Sequence, residues 1–287
     1  MTLRRVLFSA CLCAIAIGVY CVETATSQEA AQTGDASTAQ QDSGKQADKD
    51  DSATRGRQGR RGGRGGGRAG RGGGATPDDT TGFVQIFNGA SLENWDGDPK
   101  FWRVEEGVIV GQSTPENRVE YNSFLIWRGG TLKDFELKLE VRLTGGNSGI
   151  QYRSKENEQR RWSVSGYQAD FDADNRYSGM IYGEQGGGFL APRGNFLRRT
   201  NGGQRVIATL GNAEELAAVY KPGEFNQFHI VAKGNTLLHF VNGRLLAGLI
   251  DDDETGAGYS AEGILGLQMH TGAPMKIEAR NIWYKKL

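Results

Sequence analysis

The stretch Asp134–Arg153 reads DFELKLEVRLTGGNSGIQYR and decides the fold class of the C-terminal part of the chain. In its first half, from Phe135 to Leu143, apolar residues alternate strictly with charged ones. A period of two is typical of a β-strand with one buried and one polar face, because successive side chains point to opposite faces. The turn signal TGGN (144–147) leads into a second run, 148–153, and the two runs are expected to form an antiparallel pair.

The remainder of residues 81–287 repeats this pattern. Asn242-Gly243 predicts a tight hairpin turn, because both residue types tolerate positive φ angles. Only Ala213–Tyr220 is expected to contain a short helix. Further alternating runs are found at 166–172, 226–232, 236–241, 263–270 and 275–284. These features predict an all-β domain over 81–287, folded as a two-sheet antiparallel β-sandwich or jelly roll.

The N-terminus has the features of an export signal. Arginines precede the apolar run Val6–Val19, which is shorter than the roughly 20 residues of a transmembrane helix. Residues 1–27 are therefore predicted to be a signal peptide, with a retained anchor as the alternative. All three cysteines lie within them, so cleavage leaves a mature protein without cysteine. We expect a periplasmic, cell-surface or secreted protein with no transmembrane segment after cleavage.

Residues 28–80 are predicted to be a disordered linker. They include the tract RGRQGRRGGRGGGRAGRGGG (55–74), which has no apolar residues that could form a core. Its arginines suit contact with surface polyanions, and a plain tether is the alternative. Residues 81–287 hold 23 Lys/Arg and 25 Asp/Glu, so the folded part is close to neutral. That balance predicts no specific nucleic-acid partner.

Polar side chains fall on one face of three expected strands. Residues two apart share a face, which groups Gln151 with Arg153, Gln168 with Asp170 and Asp172, and Gln268 with His270. If these faces coincide, one sheet presents amides, carboxylates, a guanidinium and an imidazole. Such groups suit sugar hydroxyls, and ring faces can pack on Tyr167, Tyr177, Tyr182 or Trp162. The alternative is an ordinary solvated face, which we favour for Glu136 and Lys138.

Short motifs follow one another through residues 82–287 in a characteristic order. They are GF (82–83), FNG (87–89), WRVEEG (102–107), DFEL (134–137), GNSGI (146–150), GYQAD (166–170), LQMH (267–270) and RNI (280–282). In this order the segment resembles the 3-keto-disaccharide hydrolase domain family, which has a concanavalin A-like lectin/glucanase sandwich. The resemblance implies a saccharide ligand and cleavage of (3-keto-)glycosides or disaccharides.

The resemblance also implies a chemistry. A keto group at C3 of a sugar acidifies the hydrogen on C2, so a base can remove it and the C1 substituent can leave; water then adds to the enone. Asp170 or His270 is the expected base, and Arg153 is expected to stabilise the enolate. Substrate-binding roles are expected for Gln151, Gln168, Gln268, Tyr167, Tyr182 and Glu184.

Other interpretations stay open at the level of sequence. A conventional glycosidase uses two carboxyls about 5–5.5 Å apart for retention, or farther apart for inversion, and Asp170 with Asp172 is a candidate pair. A non-catalytic carbohydrate-binding module is the alternative from another class. The sequence requires no cofactor, although carboxylates, amides and His270 are compatible with a divalent cation.

Overall fold

A computed structural model of the protein describes residues 80–287. The predicted signal peptide (1–27) and all but the last residue of the predicted linker (28–80) lie outside the described residues. The described part contains one short helix, α1 (Ala213–Ala217), and many strands. In chain order these are β1 (Val84–Gln85), β2 (Trp95–Asp96), β3 (Trp102–Glu105), β4 (Val108–Gln112), β5 (Ser123–Leu132), β6 (Phe135–Thr144), β7 (Asn147–Glu156), β8 (Val164–Asp172), β9 (Ile181–Glu184), β10 (Gly188–Ala191), β11 (Asn195–Thr200), β12 (Gly203–Thr209), β13 (Asn226–Lys233), β14 (Thr236–Val241), β15 (Arg244–Asp251), β16 (Gly263–Met269) and β17 (Lys276–Lys286).

These strands form two sheets, as the alternation predicts. The first sheet has ten strands in the order β12-β11-β15-β14-β13-β6-β17-β4-β3, with β1 beside β17. The second sheet has seven strands in the order β10-β9-β8-β7-β16-β5-β2. Pairing is antiparallel except between β11 and β15, which run parallel. The predicted all-β sandwich is confirmed, with this one parallel pair as a departure from a purely antiparallel architecture.

The inward faces of the two sheets build one apolar core. The five apolar residues that alternate along β6 from Phe135 to Leu143 are each at most 1 % exposed. Across the core, Phe171 of β8 meets Phe228 of β13 with ring centroids 5.3 Å apart. Burying one such side chain contributes about 1.5–3 kcal/mol. The inward side chains therefore hold the two sheets together.

The expected antiparallel pairing of β6 with β7 is wrong. In the structure β6 pairs with β13 and β17 in the first sheet, whereas β7 pairs with β8 and β16 in the second. Gly145 and Gly146, with φ of 68° and 64°, turn the chain from one sheet to the other. A Cβ on Gly145 would lie 2.7 Å from the Pro274 carbonyl oxygen, so the crossing requires glycine there. The two apolar faces meet through the core instead of side by side.

The expected hairpin turn and helix are both present. Asn242 and Gly243 have φ of 47° and 80° and join β14 to β15. Helix α1 is shorter than the stretch expected to contain it, and the Asn212 side chain caps its N-terminus by accepting backbone hydrogen bonds. No helix within residues 80–287 is long and apolar enough to cross a membrane.

Candidate functional site

A row of side chains crosses six strands on the outward face of the second sheet. Cross-strand pairing aligns Phe189 (β10), Tyr182 (β9), Gln168 (β8), Gln151 (β7), Gly266 (β16) and Ile126 (β5). Ile150 and Ala169, which flank this row along β7 and β8, belong to the core. Because side chains alternate along a strand, the row itself faces away from the core. It changes from aromatic at one end, through polar, to apolar at the other.

The middle of this face is polar and buried. We use the term polar floor for Gln151, Gln168, Asp170, Glu184 and Gln268, none of which is more than 6 % exposed. A solvated outer face would expose amides and carboxylates, so this burial distinguishes the floor from an ordinary sheet surface. Carboxylates buried without a cationic partner are costly, and no ion pair to either floor carboxyl occurs among residues 80–287.

Asp170 lies at the centre of the polar floor. Its Oδ1 accepts hydrogen bonds from the side-chain amides of Asn147 at 3.1 Å and Gln168 at 3.4 Å. Burial, with the nearby carboxyls of Asp172 and Glu184, raises the pKa of Asp170 to about 7 against the opposing effect of the two amides. A carboxyl with such a pKa is partly ionised at neutral pH and can accept or donate a proton.

Glu184 reaches across the face from β9. Its carboxylate oxygens accept hydrogen bonds from Asn122 at 3.1 Å and Gln268 at 3.3 Å, and Gln268 lies on β16, beyond two intervening strands. Three spacings of about 4.8 Å separate β9 from β16, so the two long side chains extend toward each other over β8 and β7. Burial raises the pKa of Glu184, and the two amides act in the opposite direction.

Several polar atoms of the floor have no protein partner. Both the amide nitrogen and the amide oxygen of Gln151 are unpaired, and so are the Oε1 atoms of Gln168 and Gln268. Buried polar atoms are normally hydrogen-bonded, and unpaired ones concentrated on one face indicate a ligand surface. The Gln168 side chain lies directly above Gly149, where a Cβ would be 2.2 Å from its Cδ. The structure therefore brings Gln151, Gln168, Asp170, Glu184 and Gln268 together.

Aromatic side chains form one rim of the floor. We use the term aromatic platform for Tyr177, Tyr182 and Phe189. The Phe189 ring lies 5.2 Å from that of Tyr177 and 5.3 Å from that of Tyr182, and the Phe189 residue is 47 % exposed. Trp162 stands at the other end of the face, where it packs on an apolar cluster that includes Ile126. The floor is thus flanked by aromatic groups on two sides.

Arg153 lies away from the floor, contrary to the expected common face with Gln151. A bulge interrupts the pairing of β7 with β8 after Tyr152, and Arg153 has a φ of 45°. Its guanidinium donates to the carbonyl oxygens of Lys133 at 2.6 Å and Gly234 at 2.7 Å. The bulge breaks the alternation, so the guanidinium ties together turns at the end of the first sheet and is not positioned to stabilise an enolate.

Tyr167 points into the core, on the opposite side of the sheet from the floor. Its hydroxyl donates to Asp251 Oδ2 at 2.5 Å, and its ring stacks on Tyr152 at 5.8 Å. Asp251 is also held by Arg199 through two hydrogen bonds. The expected substrate contact from Tyr167 is replaced by a buried link between the two sheets.

His270 and Asp172 lie at the margin of the floor. His270 follows β16 two residues after Gln268, and burial lowers its pKa. It makes no hydrogen bond to a floor carboxyl; its Nδ1 contacts the Thr271 carbonyl oxygen. The Asp172 carboxylate accepts backbone N–H groups of Arg176 at 3.1 Å and Tyr177 at 2.7 Å. Asp172 is therefore engaged in holding a loop, which weighs against an Asp170–Asp172 glycosidase pair.

Sequence reasoning missed three residues of this site. Asn147 was read only as part of a turn, although alternation from Gln151 through Gly149 places it on the same face. Asn122 precedes β5 and reaches Glu184 from a loop, and Phe189 follows a glycine run; neither has a period that could have marked it. Within residues 80–287 no three His, Cys, Asp or Glu side chains converge as a metal cluster. The floor carboxyls and amides would be the donors to any divalent cation, and such a requirement stays a prediction.

Comparison with known proteins identifies the family. A candidate glycosyl hydrolase from Parabacteroides distasonis is similar in structure, with 18% sequence identity, a TM-score of 0.50 and coverage of 71% of this chain and 99% of that chain. The carbohydrate-binding module CBM66 from Bacillus subtilis is 17% identical with a TM-score of 0.42, covering 67% of this chain and 96% of its own. No curated protein matches significantly. The sequence pattern of the 3-keto-alpha-glucoside-1,2-lyase-like domain matches residues 82–285, and the chain belongs to this family.

Proposed function

We propose that the polar floor cleaves glycosides that carry a keto group at C3 of the sugar. The observation that carries the proposal is the Asp170 carboxyl, which is buried among amides with a pKa of about 7. A general base works best when its pKa lies near the operating pH. The hydrogen on C2, next to the ketone, is the one that such a modest base can remove. The family match supports this choice of substrate class.

The proposed reaction is an elimination followed by hydration. Asp170 takes the C2 proton, and the electrons of the C–H bond form an enolate across C2, C3 and the ketone oxygen. The enolate collapses, a double bond forms between C1 and C2, and the bond from C1 to the glycosidic oxygen breaks with its electrons on that oxygen. Asp170 then returns its proton to C2 while water adds hydroxyl to C1, and the other proton of the water replaces the one given to the departing oxygen. Proton and electron counts balance, and the net change is hydrolysis.

Two further floor residues have proposed roles in this sequence. Glu184, a buried carboxyl whose pKa is raised by burial, is the group proposed to protonate the departing oxygen. The unpaired Nε2 of Gln151 is a buried donor directly opposite Gln168, and it replaces Arg153 as the group expected to stabilise the enolate. A fixed donor in a buried site stabilises developing negative charge without having to reorganise.

The proposal places this reaction outside the cytoplasm, because the predicted signal peptide of residues 1–27 precedes the domain. A non-catalytic carbohydrate-binding role is the second candidate. The exposed Phe189 beside a floor rich in amides favours it, because an exposed ring offers apolar contact area to a ligand without taking part in chemistry. Both candidates share a saccharide ligand on the same face. They differ in whether Asp170 and Glu184 transfer protons.

The test uses the full chain with C3-oxidised and ordinary disaccharides, with and without a chelator. Release of the 3-keto sugar is measured for the wild type, Asp170→Asn and Glu184→Gln, with the exposed Glu93→Gln as the matched control. We expect the two floor variants to lower kcat/KM by about 10²–10⁴-fold, as for loss of a general acid or base. The control should be unchanged. Sugar binding without any product would establish the binding module instead. Loss of activity on chelation would show that a cation is required.

A further inference from the structure

The aromatic platform has a composition that the proposed elimination does not use. Phe189 is 47 % exposed, although its ring contacts both Tyr177 and Tyr182. A large apolar ring held half in solvent by other rings presents a flat surface to a ligand. No step of the elimination at C1–C3 calls for such a surface. The platform is therefore available to a part of the substrate that does not react.

The position of the platform identifies that part. Tyr182 pairs directly with Gln168 across β8 and β9, and Phe189 pairs with Tyr182 across β9 and β10. Tyr182 lies two residues before Glu184 on β9, so its side chain shares the face of the floor. Because β10 is the edge strand of this sheet, the platform extends from the floor carboxyls to the edge of the sheet.

We propose that the aromatic platform binds the leaving group of the substrate, and that this group is a ring with a flat apolar face. The inference rests on the proposed function. The buried floor, with unpaired amide atoms on Gln151, Gln168 and Gln268, matches the keto sugar with its dense polar groups. The half-exposed platform matches the C–H face of a second pyranose or the ring of an aromatic aglycone. Substrates with ring leaving groups are favoured over simple alkyl glycosides.

The experiment compares three C3-oxidised glucosides whose leaving groups are glucose, phenol or methanol. The variants are Phe189→Ala, the ring-retaining Phe189→Tyr, and Val84→Ala, which truncates another exposed apolar residue on β1, beside β17 in the first sheet. We expect Phe189→Ala to raise KM about 3- to 10-fold for the two ring-bearing substrates, the range for loss of an aromatic contact. KM of Phe189→Ala for the methyl glucoside should stay within about twofold of the wild-type value, because substitutions that remove no contact have small effects. The larger rise in KM, for the disaccharide or for the phenyl glucoside, shows which ring the platform binds more strongly.

Several outcomes would overturn the inference, and they differ from failure of the proposed function. Equal effects on methyl and ring-bearing substrates, or no effect of Phe189→Ala, contradict a leaving-group platform while cleavage itself persists. If the wild type cleaves none of the three, the proposed function fails, and calorimetric binding of the unoxidised disaccharide then tests the platform with the same variants. A wild type that neither cleaves nor binds these sugars overturns both. Recovery of the wild-type KM by Phe189→Tyr supports the inference.

Discussion

Asp170→Asn is expected to stabilise the protein at pH 8 while it lowers kcat/KM by about 10²–10⁴-fold. The carboxyl has a pKa of about 7 in the folded protein, against 3.8 for an ordinary aspartate. Between pH 3.8 and pH 7 the Asp170 carboxyl is ionised in the unfolded chain but protonated in the folded protein. The free energy of unfolding therefore falls as the pH rises through this range, and the full loss is reached above pH 7. The difference between the two pKa values corresponds to a loss of about 4 kcal/mol in the free energy of unfolding. Asparagine cannot ionise, but it is also polar and costly to bury, so it recovers only part of this loss. We expect Asp170→Asn to raise the free energy of unfolding by about 2 kcal/mol.

Urea denaturation of the wild type and the variant between pH 5 and pH 8 measures this gain. The stability advantage of Asp170→Asn should grow with pH and level off above about pH 7, where the carboxyl is ionised in both states. Asp174→Asn is the matched control. Its side chain is 73 % exposed, so its loss should change stability little at any pH. An advantage of Asp170→Asn that is absent or independent of pH would refute the reasoning.

Three further substitutions test the assignments of individual residues. Gly149→Ala puts a Cβ 2.2 Å from the Gln168 Cδ and should displace that amide from the base, lowering kcat/KM about 10²-fold. Gly202→Ala lies in the exposed turn between β11 and β12, with its nearest neighbour at 3.6 Å, and should keep its activity. Equal rates for the two variants would contradict a role for the amide. Tyr167→Phe should cost about 2 kcal/mol in urea denaturation without changing sugar affinity, because its hydroxyl bonds a buried carboxylate; weaker sugar binding would return this residue to the site. Arg153→Met leaves two carbonyl oxygens without their donor and should cost about 3 kcal/mol, with kcat unchanged in the folded fraction. A fall in that kcat would restore the arginine as a catalytic candidate.

Much of the polar floor follows from strand alternation. Gln168 and Asp170 share a face because they are two apart on β8, and Gln151 faces the same way from β7. Alternation predicts the face of a side chain only while the strand is regular. At Arg153 a bulge with a positive φ turns the side chain out of the series. For Tyr167 the alternation itself places the ring in the core, because it is one residue from Gln168.

Contacts between distant segments were beyond sequence reasoning for a different reason. Asn122 and Gln268 meet Glu184 across the face, although they lie in a loop and on a strand that is not a neighbour of β9. The crossing at Gly145 and Gly146 is another case. A TGGN turn is compatible both with a hairpin inside one sheet and with a passage between two sheets. Which one forms depends on the partners that β6 and β7 find, and these lie far away in the sequence.

The sequence by itself determined the fold class, the family and the composition of the polar floor, because alternation, turn residues and ordered motifs are local properties of the chain. The tertiary structure decided which of those polar groups are buried together. It assigned Arg153 and Tyr167 to structural contacts, and it raised the pKa of Asp170 to about 7. The physical reason is that desolvation and charge proximity depend on the strands that surround a group. A carboxyl becomes a base suited to neutral pH only when folding removes it from water.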